Sequence, residues 1–565
     1  MIDNIKLANY KSFFADQVKE AIDEQQKINR SQMRNLFKTG ELSLAYVDSI
    51  QHETGMIILK CPRRMAPRLK VLKGVCIIKK GAKQALGEHV TEWICRWDEF
   101  VDNKDFHSSG SDMTPMYYVH TGDSNYDYVA CSGFSFKLYD ILSKALVDGK
   151  SLSLIVHNPF PPVEYFRNLA SYMDAFSSND ELNLEPTIDY EEWTPEELAF
   201  DEQKPTGISD TIIDTLANEH CCIVQGPPGT GKSYTIASVI SSYLDAGKTV
   251  CVTTMANKGL IELIKQKPLH KYVKEGRVSK TNLSIDERKQ VSGVKAASAD
   301  LQVPGGEMLC ATNYQLSSVF SEKKMTLYGL PQYDLVVIEE ASQAFLTAIV
   351  AFKQLGIDCL IVGDPMQLPP IVKLNNPQYN SWNVATQVEG LKSMVLGTSI
   401  KSYRIVTTFR LTSRSASLTK YFYGNRFVSV KQDYLDFTKA NSVLFPQDGG
   451  VLYHCTLDVR NGVYSDKADA IIRDVIEKLE KFYPDRSLAI ITPFRDSVKE
   501  LQKRFCTSDL ELDITIETID RIQGMTVDYA ILYIHEQYLQ PIITQYFIDN
   551  KSEIWLLFLI AHSKR

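Results

Sequence analysis

Cys221-Cys222-Ile223-Val224-Gln225-Gly226-Pro227-Pro228-Gly229-Thr230-Gly231-Lys232-Ser233 is a short apolar run followed by G-x-x-x-x-G-K-S, and a helical pattern continues from Tyr234 to Leu244. Strand, glycine-rich loop and helix in that order make a phosphate-binding loop. The glycines let backbone N–H groups turn inward around an anion. Lys232 has the reach for β/γ-phosphates, the Ser233 hydroxyl can ligate Mg²⁺, and the helix aims its positive end at the same charge. Gly226, Pro227, Pro228, Gly229, Thr230, Gly231, Lys232 and Ser233 are therefore the expected nucleotide cradle, with ATP and Mg²⁺ as the expected cofactors.

Two downstream stretches narrow the chemistry. Asp334-Leu335-Val336-Val337-Ile338-Glu339-Glu340-Ala341-Ser342-Gln343 is a buried strand ending in paired carboxylates. Nucleotide hydrolysis needs one carboxylate near the metal and one beside the attacking water. Glu339 is assigned to the metal shell and Glu340 to the water. Ile361-Val362-Gly363-Asp364-Pro365-Met366-Gln367-Leu368-Pro369-Pro370 is a second strand ending in a turn, where Gln367 is placed to touch the γ-phosphate or the water.

The order GPPGTGKS, EEASQ, GDPMQLPP resembles superfamily 1 helicases. EEASQ is similar to the DEASQ of their 5′-to-3′ branch, which includes the nonsense-mediated-decay helicase, senataxin and DNA2-like helicases. Val252-Thr253-Thr254-Met255-Ala256-Asn257 resembles motif Ia, Ala311-Thr312-Asn313 motif Ic, and Thr407-Thr408-Phe409-Arg410 the "QYR" of motif IV. Ile490-Ile491-Thr492-Pro493-Phe494 resembles "IITPY", Thr518-Ile519-Asp520-Arg521-Ile522-Gln523-Gly524 motif V, and Ile560-Ala561-His562-Ser563-Lys564 motif VI.

This resemblance, over about 200–565, implies an α/β fold with two RecA-like domains, ATP between them and single-stranded DNA or RNA across their top. It gives Arg410 an arginine-finger role and makes Lys564 the motif VI cation. It assigns Thr254, Asn257, Thr312, Thr492 and Thr518 to the nucleic-acid backbone, contacts that position without reading sequence. Gln523 and Gly524 would couple nucleotide to strand, and Gln203 is the candidate adenine reader, a few residues farther upstream than usual.

Four departures bear on rate more than on fold. Glu339 stands where Asp is usual, which moves the carboxylate outward by one methylene. Met525-Thr526 replaces the acid after Gly524. Lys564 replaces an arginine and loses its bidentate fork, with Arg565 next door. The sequence also stops where the family continues into another core strand. These departures also suit a second reading, a slow ATPase that clamps nucleic acid or a partner protein in a defence or repair complex without unwinding. A metabolic P-loop kinase does not account for GDPMQLPP or motif V.

The 565 residues, 44% hydrophobic and 23% charged, suit a globular protein of about three or four domains. No apolar run approaches the roughly 18 residues of a membrane span, and Met1-Ile2-Asp3-Asn4 opens no signal peptide. The eleven cysteines contain no C-x-x-C pair, so neither a zinc ribbon nor a disulfide framework is expected. No nuclease signature is evident. A reducing intracellular setting follows, cytoplasm or nucleus.

Residues 1–196 are expected to form an accessory region: helices over 1–40, then β-like runs within 42–80 that suggest a small barrel. Residues 197–400 and 401–565 are expected to form the two RecA-like domains. The acidic stretch Ser177 to Glu197 reads as a linker or surface segment. Net charge is −7, yet nine Lys/Arg and no acid fall between Thr54 and Gly87. That cluster suits a nucleic-acid backbone and a solvated face equally.

Overall fold

The computed structural model describes residues 4–39, 43–62 (less 52, 54 and 55), 75–78, 89, 116–119, 125–131, 143–144, 153–156, 163–185 and 193–533, apart from 228, 284, 300–301, 322–323, 325–331, 373–375, 380–383, 432–465, 494, 506–511 and 523–526. Contacts divide the chain into two units. One takes Ser12–Arg167 with Ser284–Asp286, and the other takes Met1–Lys11, Asn168–Leu283 and Glu287–Arg565.

The smaller unit contains the bulk of the Asn4–Arg30 helix, the Met33–Thr39 helix and six strands. These are β1 (Ser43–Gln51), β2 (Met56–Pro62), β3 (Val75–Ile78), β4 (Met116–Val119), β5 (Tyr126–Cys131) and β6 (Ser153–Val156). They pair antiparallel in the order β3-β6-β1-β2-β5-β4. The expected helices and the β-rich region are both present. The edge strands β3 and β4 are not paired with each other among the described residues, so the described strands form an open sheet. Of the basic cluster only Lys60 is described, with its ammonium 4.2 Å from the Tyr126 ring centre; Arg63, Arg64, Arg68 and the others lie outside the described residues.

The larger unit is built on a nine-stranded sheet. Its strands are β7 (Glu196–Leu198), β8 (Cys221–Gln225), β9 (Val250–Thr254), β10 (Val278–Thr281), β11 (Lys295–Ala297), β12 (Met308–Thr312), β13 (Tyr333–Ile338), β14 (Gly356–Gly363) and β15 (Lys401–Ile405). The order is β11-β10-β12-β9-β13-β14-β8-β15-β7, and every pairing is parallel. The strands β8, β9 and β12 are buried along their whole length and apolar but for the Gln or Thr at their carboxyl ends. Such runs pack helices on both faces, as parallel sheets require. The Lys232–Asp245 helix supplies one cover, burying Ile236, Ala237, Val239, Ile240, Tyr243 and Leu244 at helical spacing. Cys251, Cys310 and Cys359 are buried free thiols, as their apolar settings imply.

The sheet reaches to Ile405, past the boundary expected at 400, because β15 pairs with β8 and β7. The stretch expected to be a linker is instead partly packed. Leu182 and Leu184 are buried, Lys6 Nζ donates to Leu184 O at 2.5 Å, Glu181 pairs with Lys353, and β7 joins the sheet edge. Acidic surface residues concealed two buried leucines there.

Beyond the large sheet, β16 (Thr407–Thr412) pairs in parallel with β17 (Val428–Lys431). β18 (Ser487–Thr492), β19 (Asp513–Thr518) and β20 (Tyr529–Leu532) form a three-stranded parallel sheet in the order β19-β18-β20. The Asp466–Phe482 and Arg495–Phe505 helices pack on it through Ile472, Ile476, Leu479, Val498 and Leu501.

Candidate nucleotide and strand site

Parallel α/β sheets place ligands at the carboxyl ends of their strands. β8 ends in the phosphate loop, β13 in Glu339-Glu340 and β14 in Gly363-Asp364, with β14 lying between the other two. Close approach explains the loop's glycines. A Cβ at Gly226 would overlap the Lys232 side chain, and one at Gly229 would overlap the Cβ of Arg410. Gly229 and Gly231 also hold φ of 79° and 77°, a region that favours glycine. Lys232 Nζ donates to Gly226 O at 2.5 Å, folding back over the loop.

Ser233 Oγ donates to Glu339 Oε1 at 2.9 Å. Glu339 is buried, and its Oε2 has no hydrogen-bond partner among the described residues. Burial, reinforced by the neighbouring Glu340 charge, pushes the Glu339 carboxyl up to about 7, against the pull of the Ser233 hydrogen bond and Lys232. A buried, bare carboxylate oxygen beside a serine hydroxyl at a phosphate loop fits Mg²⁺, a hard cation that takes oxygen ligands. Ser233 and Glu339 would hold it.

Glu340 is only half-buried and adopts a left-handed conformation, φ 53° and ψ 40°. Non-glycine residues adopt it at a cost, and functional sites concentrate such strain. Arg410 is half-buried; burial lowers its proton affinity and the charge of Glu340 opposes that. Phe409 N donates to Gly229 O at 2.8 Å. Arg410, Gly229 and Glu340 are thus brought together. Gln367 is not turned free toward the phosphate loop: its Nε2 donates to Asp364 Oδ2 at 3.1 Å. Gln203 sits in an exposed turn, its backbone N–H bonded to Asp201 Oδ1. Pro228, Gln523, Gly524 and Lys564 lie outside the described residues.

Four of the five strand-contact candidates fall in two pairs at the ends of neighbouring strands, and the fifth opens a helix. Thr254 ends β9 beside Thr312 at the end of β12, in direct register. Thr492 ends β18 beside Thr518 at the end of β19, again in register. The Thr492 and Thr518 hydroxyls are buried without partners among the described residues. Asn257 opens the helix Asn257–Ile264 just past Thr254.

Several residues escaped sequence reading. Tyr423 OH donates to the buried Asp364 at 2.8 Å; burial raises the Asp364 carboxyl, and Lys232, Tyr423, Met366 N–H and Gln367 restrain it. Phe409 stacks edge-on against Phe200 with ring centres 5.0 Å apart, beside Gly231, and is 40% exposed. Its place in the "QYR"-like stretch was the available signal. Ser497 Oγ is buried near the start of the Arg495–Phe505 helix without a hydrogen-bond partner among the described residues, and no pattern marked it.

The phosphate loop, the buried carboxylate at a neighbouring strand end and the parallel sheet define a nucleotide-binding α/β protein of the P-loop class. Residues 209–373 match the AAA domain family. The chain is 26% identical over 364 residues to the DNA replication ATP-dependent helicase/nuclease dna2 of Schizosaccharomyces pombe, covering 56% of this chain and 24% of that protein. It is 20% identical over 433 residues to the DNA replication ATP-dependent helicase/nuclease JHS1 of Arabidopsis thaliana, covering 70% and 29%. Helicase sen1 of S. pombe is 22% identical over 312 residues, covering 51% and 17%. Residues 209–373 are thus similar to the AAA domain family, and a longer stretch of the chain is similar to the dna2, JHS1 and sen1 relatives. The chain spans about a quarter of the first two relatives' length, and their names describe those longer proteins. A solved PRRSV helicase aligns over 62% of this chain and 52% of its own at 11% identity and a TM-score of 0.31, a superposition too loose to carry an argument. Among the described residues, no helix is long and apolar enough to cross a membrane.

Proposed function

We propose that the protein is an ATP-dependent helicase or translocase on single-stranded DNA or RNA, with ATP hydrolysed between two RecA-like domains and movement 5′ to 3′. The observation that carries the ATPase reading is the bare, buried Oε2 of Glu339 beside Ser233. Bound Mg²⁺ would neutralise the charge of the transferring phosphoryl group. Ser233 and Glu339 would hold the metal, and Lys232, now on Gly226 O, is within reach of the β/γ-phosphates a nucleotide would place in the loop. Glu340 orients and deprotonates the attacking water, and Arg410 stabilises the charge that develops in the transition state. The half-exposed Phe409 ring beside the loop offers a stacking face for the nucleotide base.

The strand reading is supported by the two threonine pairs, one at the carboxyl end of the nine-stranded sheet and one at that of the three-stranded sheet, with Asn257 beside the first. Small hydroxyl and amide groups suit backbone contacts that tolerate any sequence. The direction of movement follows the family resemblance. The second reading, a slow ATPase clamp, is favoured by Glu339 standing where the resemblance expects an aspartate.

The deciding experiment is steady-state ATP hydrolysis alone, with single-stranded DNA and with single-stranded RNA, using Lys232→Ala and Glu340→Gln as controls. Strong stimulation by one polymer, lost in both variants, establishes a nucleic-acid-driven ATPase and names its track. Hydrolysis indifferent to both polymers refutes the motor and leaves the clamp.

A further inference from the structure

We propose that Lys280 is a positioning residue that turns the side-chain amide nitrogen of Asn257, and not its oxygen, toward a backbone phosphate of the bound strand. The inference deepens the strand reading above and rests on it. Lys280 lies near the end of β10 with its side chain fully buried. Its ammonium donates to Asn257 Oδ1 at 2.8 Å, to Thr281 O at 3.1 Å and to Glu287 Oε2 at 3.2 Å. A buried lysine is costly unless its donors are all used, and here three acceptors converge on it.

The chemistry of the partner fixes which way the amide points. A lysine ammonium only donates, so the Asn257 atom facing it must be the oxygen. The Nδ2 group, a double donor, then faces away from Lys280 on a residue that is exposed to solvent. A donor at the first position of a helix, just past Thr254, is what a phosphate oxygen accepts from. With the amide reversed, the oxygen would face the phosphate and repel it. The next residue braces the neighbouring candidate turn, since Thr281 Oγ1 donates to Gln315 Oε1 just past Thr312. The end of β10 therefore supports both strand-contact turns of the large sheet while touching no ligand itself.

The test measures affinity for fluorescent oligo-dT and oligo-U by anisotropy. Asn257→Ala removes the donor and is expected to weaken binding about tenfold, the worth of a charge-assisted hydrogen bond. Asn257→Asp still accepts from Lys280 but presents an oxygen outward, so it should bind more weakly than Asn257→Ala. Both changes sit on an exposed helix end; Asn257→Asp keeps an acceptor for the buried Lys280 ammonium, whereas Asn257→Ala removes one of its three, so thermal unfolding of both variants accompanies the affinities. Lys280→Met should weaken binding about as much as Asn257→Ala, and the double variant no further, because both act through one contact. Wild-type affinity in Asn257→Asp, or losses in the double variant that multiply, would overturn the proposal. Failure of the wild-type protein to bind either polymer would overturn the strand reading itself, and the proposal with it.

Discussion

Glu339 and Glu340 are adjacent in sequence yet occupy opposite surroundings, and that difference sets their chemistry. Glu339 is buried with a bare oxygen; Glu340 is half-exposed on a left-handed turn beside Arg410. If Glu340 activates the water, Glu340→Gln should cut single-turnover hydrolysis by about 10²–10⁴-fold while leaving ATP binding close to wild type. Hydrolysis within a few-fold of wild type would move the base elsewhere. Glu339 yields a pH prediction. Burial raises its folded-state proton affinity to about 7, so between the ordinary carboxylate range and neutrality the folded state binds more protons than the unfolded one. Stability therefore falls as pH rises through that window and levels off above it. Urea unfolding at pH 5 and pH 8 without metal should show the wild type losing more stability than Glu339→Gln. Equal losses would mean that Glu339 is not the buried titrating group. Both carboxylates were legible in the sequence because they end an unbroken apolar strand. The strain at Glu340 was not, because glutamate, unlike glycine or asparagine, does not mark a positive φ.

Elements show where sequence reading succeeds and where it stops. β8, β9, β13 and β14 were legible because strands buried on both faces are written as continuous Val, Ile, Leu and Cys. β10 was missed: Val278-Ser279-Lys280-Thr281 is mostly polar and becomes buried only because Asn257 and Glu287 come to meet its lysine. The helix Ser413–Tyr423 poses the same difficulty. Its last residue closes a hydrogen bond to Asp364, 59 positions earlier, and no local pattern encodes a partner that distant. Asp364 is buried and also accepts from Met366 N and Gln367 Nε2. The helix end thus fixes the carboxylate that in turn holds Gln367. Tyr423→Phe keeps the ring but removes the donor, which should cost about 1–3 kcal/mol of stability and release Gln367, slowing hydrolysis as well. Thermal unfolding and steady-state rate on the same variant check this. A loss of stability with unchanged turnover would confine Asp364 to a structural role.

At the scale of the whole larger unit, the GDPMQLPP turn joins nucleotide side to strand side. Met366 packs against the Leu411, Ala416, Tyr423 and Phe427 cluster. Leu368, two residues on, is buried against Ala489 and Ile491 of β18 together with Ile519, Ile522 and Val527. Ile491 is followed directly by Thr492, one of the two bare hydroxyls at the end of the three-stranded sheet. A shift of Asp364 or Gln367 on hydrolysis would therefore be passed through Leu368 to the strand that presents Thr492, with packed side chains and not a flexible linker as the carrier. Such a path makes a prediction about coupling that differs from one about chemistry. Leu368→Ala should lower the ratio of polymer-stimulated to basal ATP hydrolysis by about 2- to 30-fold, the range expected for about 0.5–2 kcal/mol of lost coupling. A change in the phosphate loop lowers both rates together and leaves the ratio alone. The measurement is ATP turnover against polymer concentration, with and without the substitution. A wild-type ratio in Leu368→Ala would mean that the two sheets communicate by another route, with the direct contact between Phe409 and Gly229 the next to be tested.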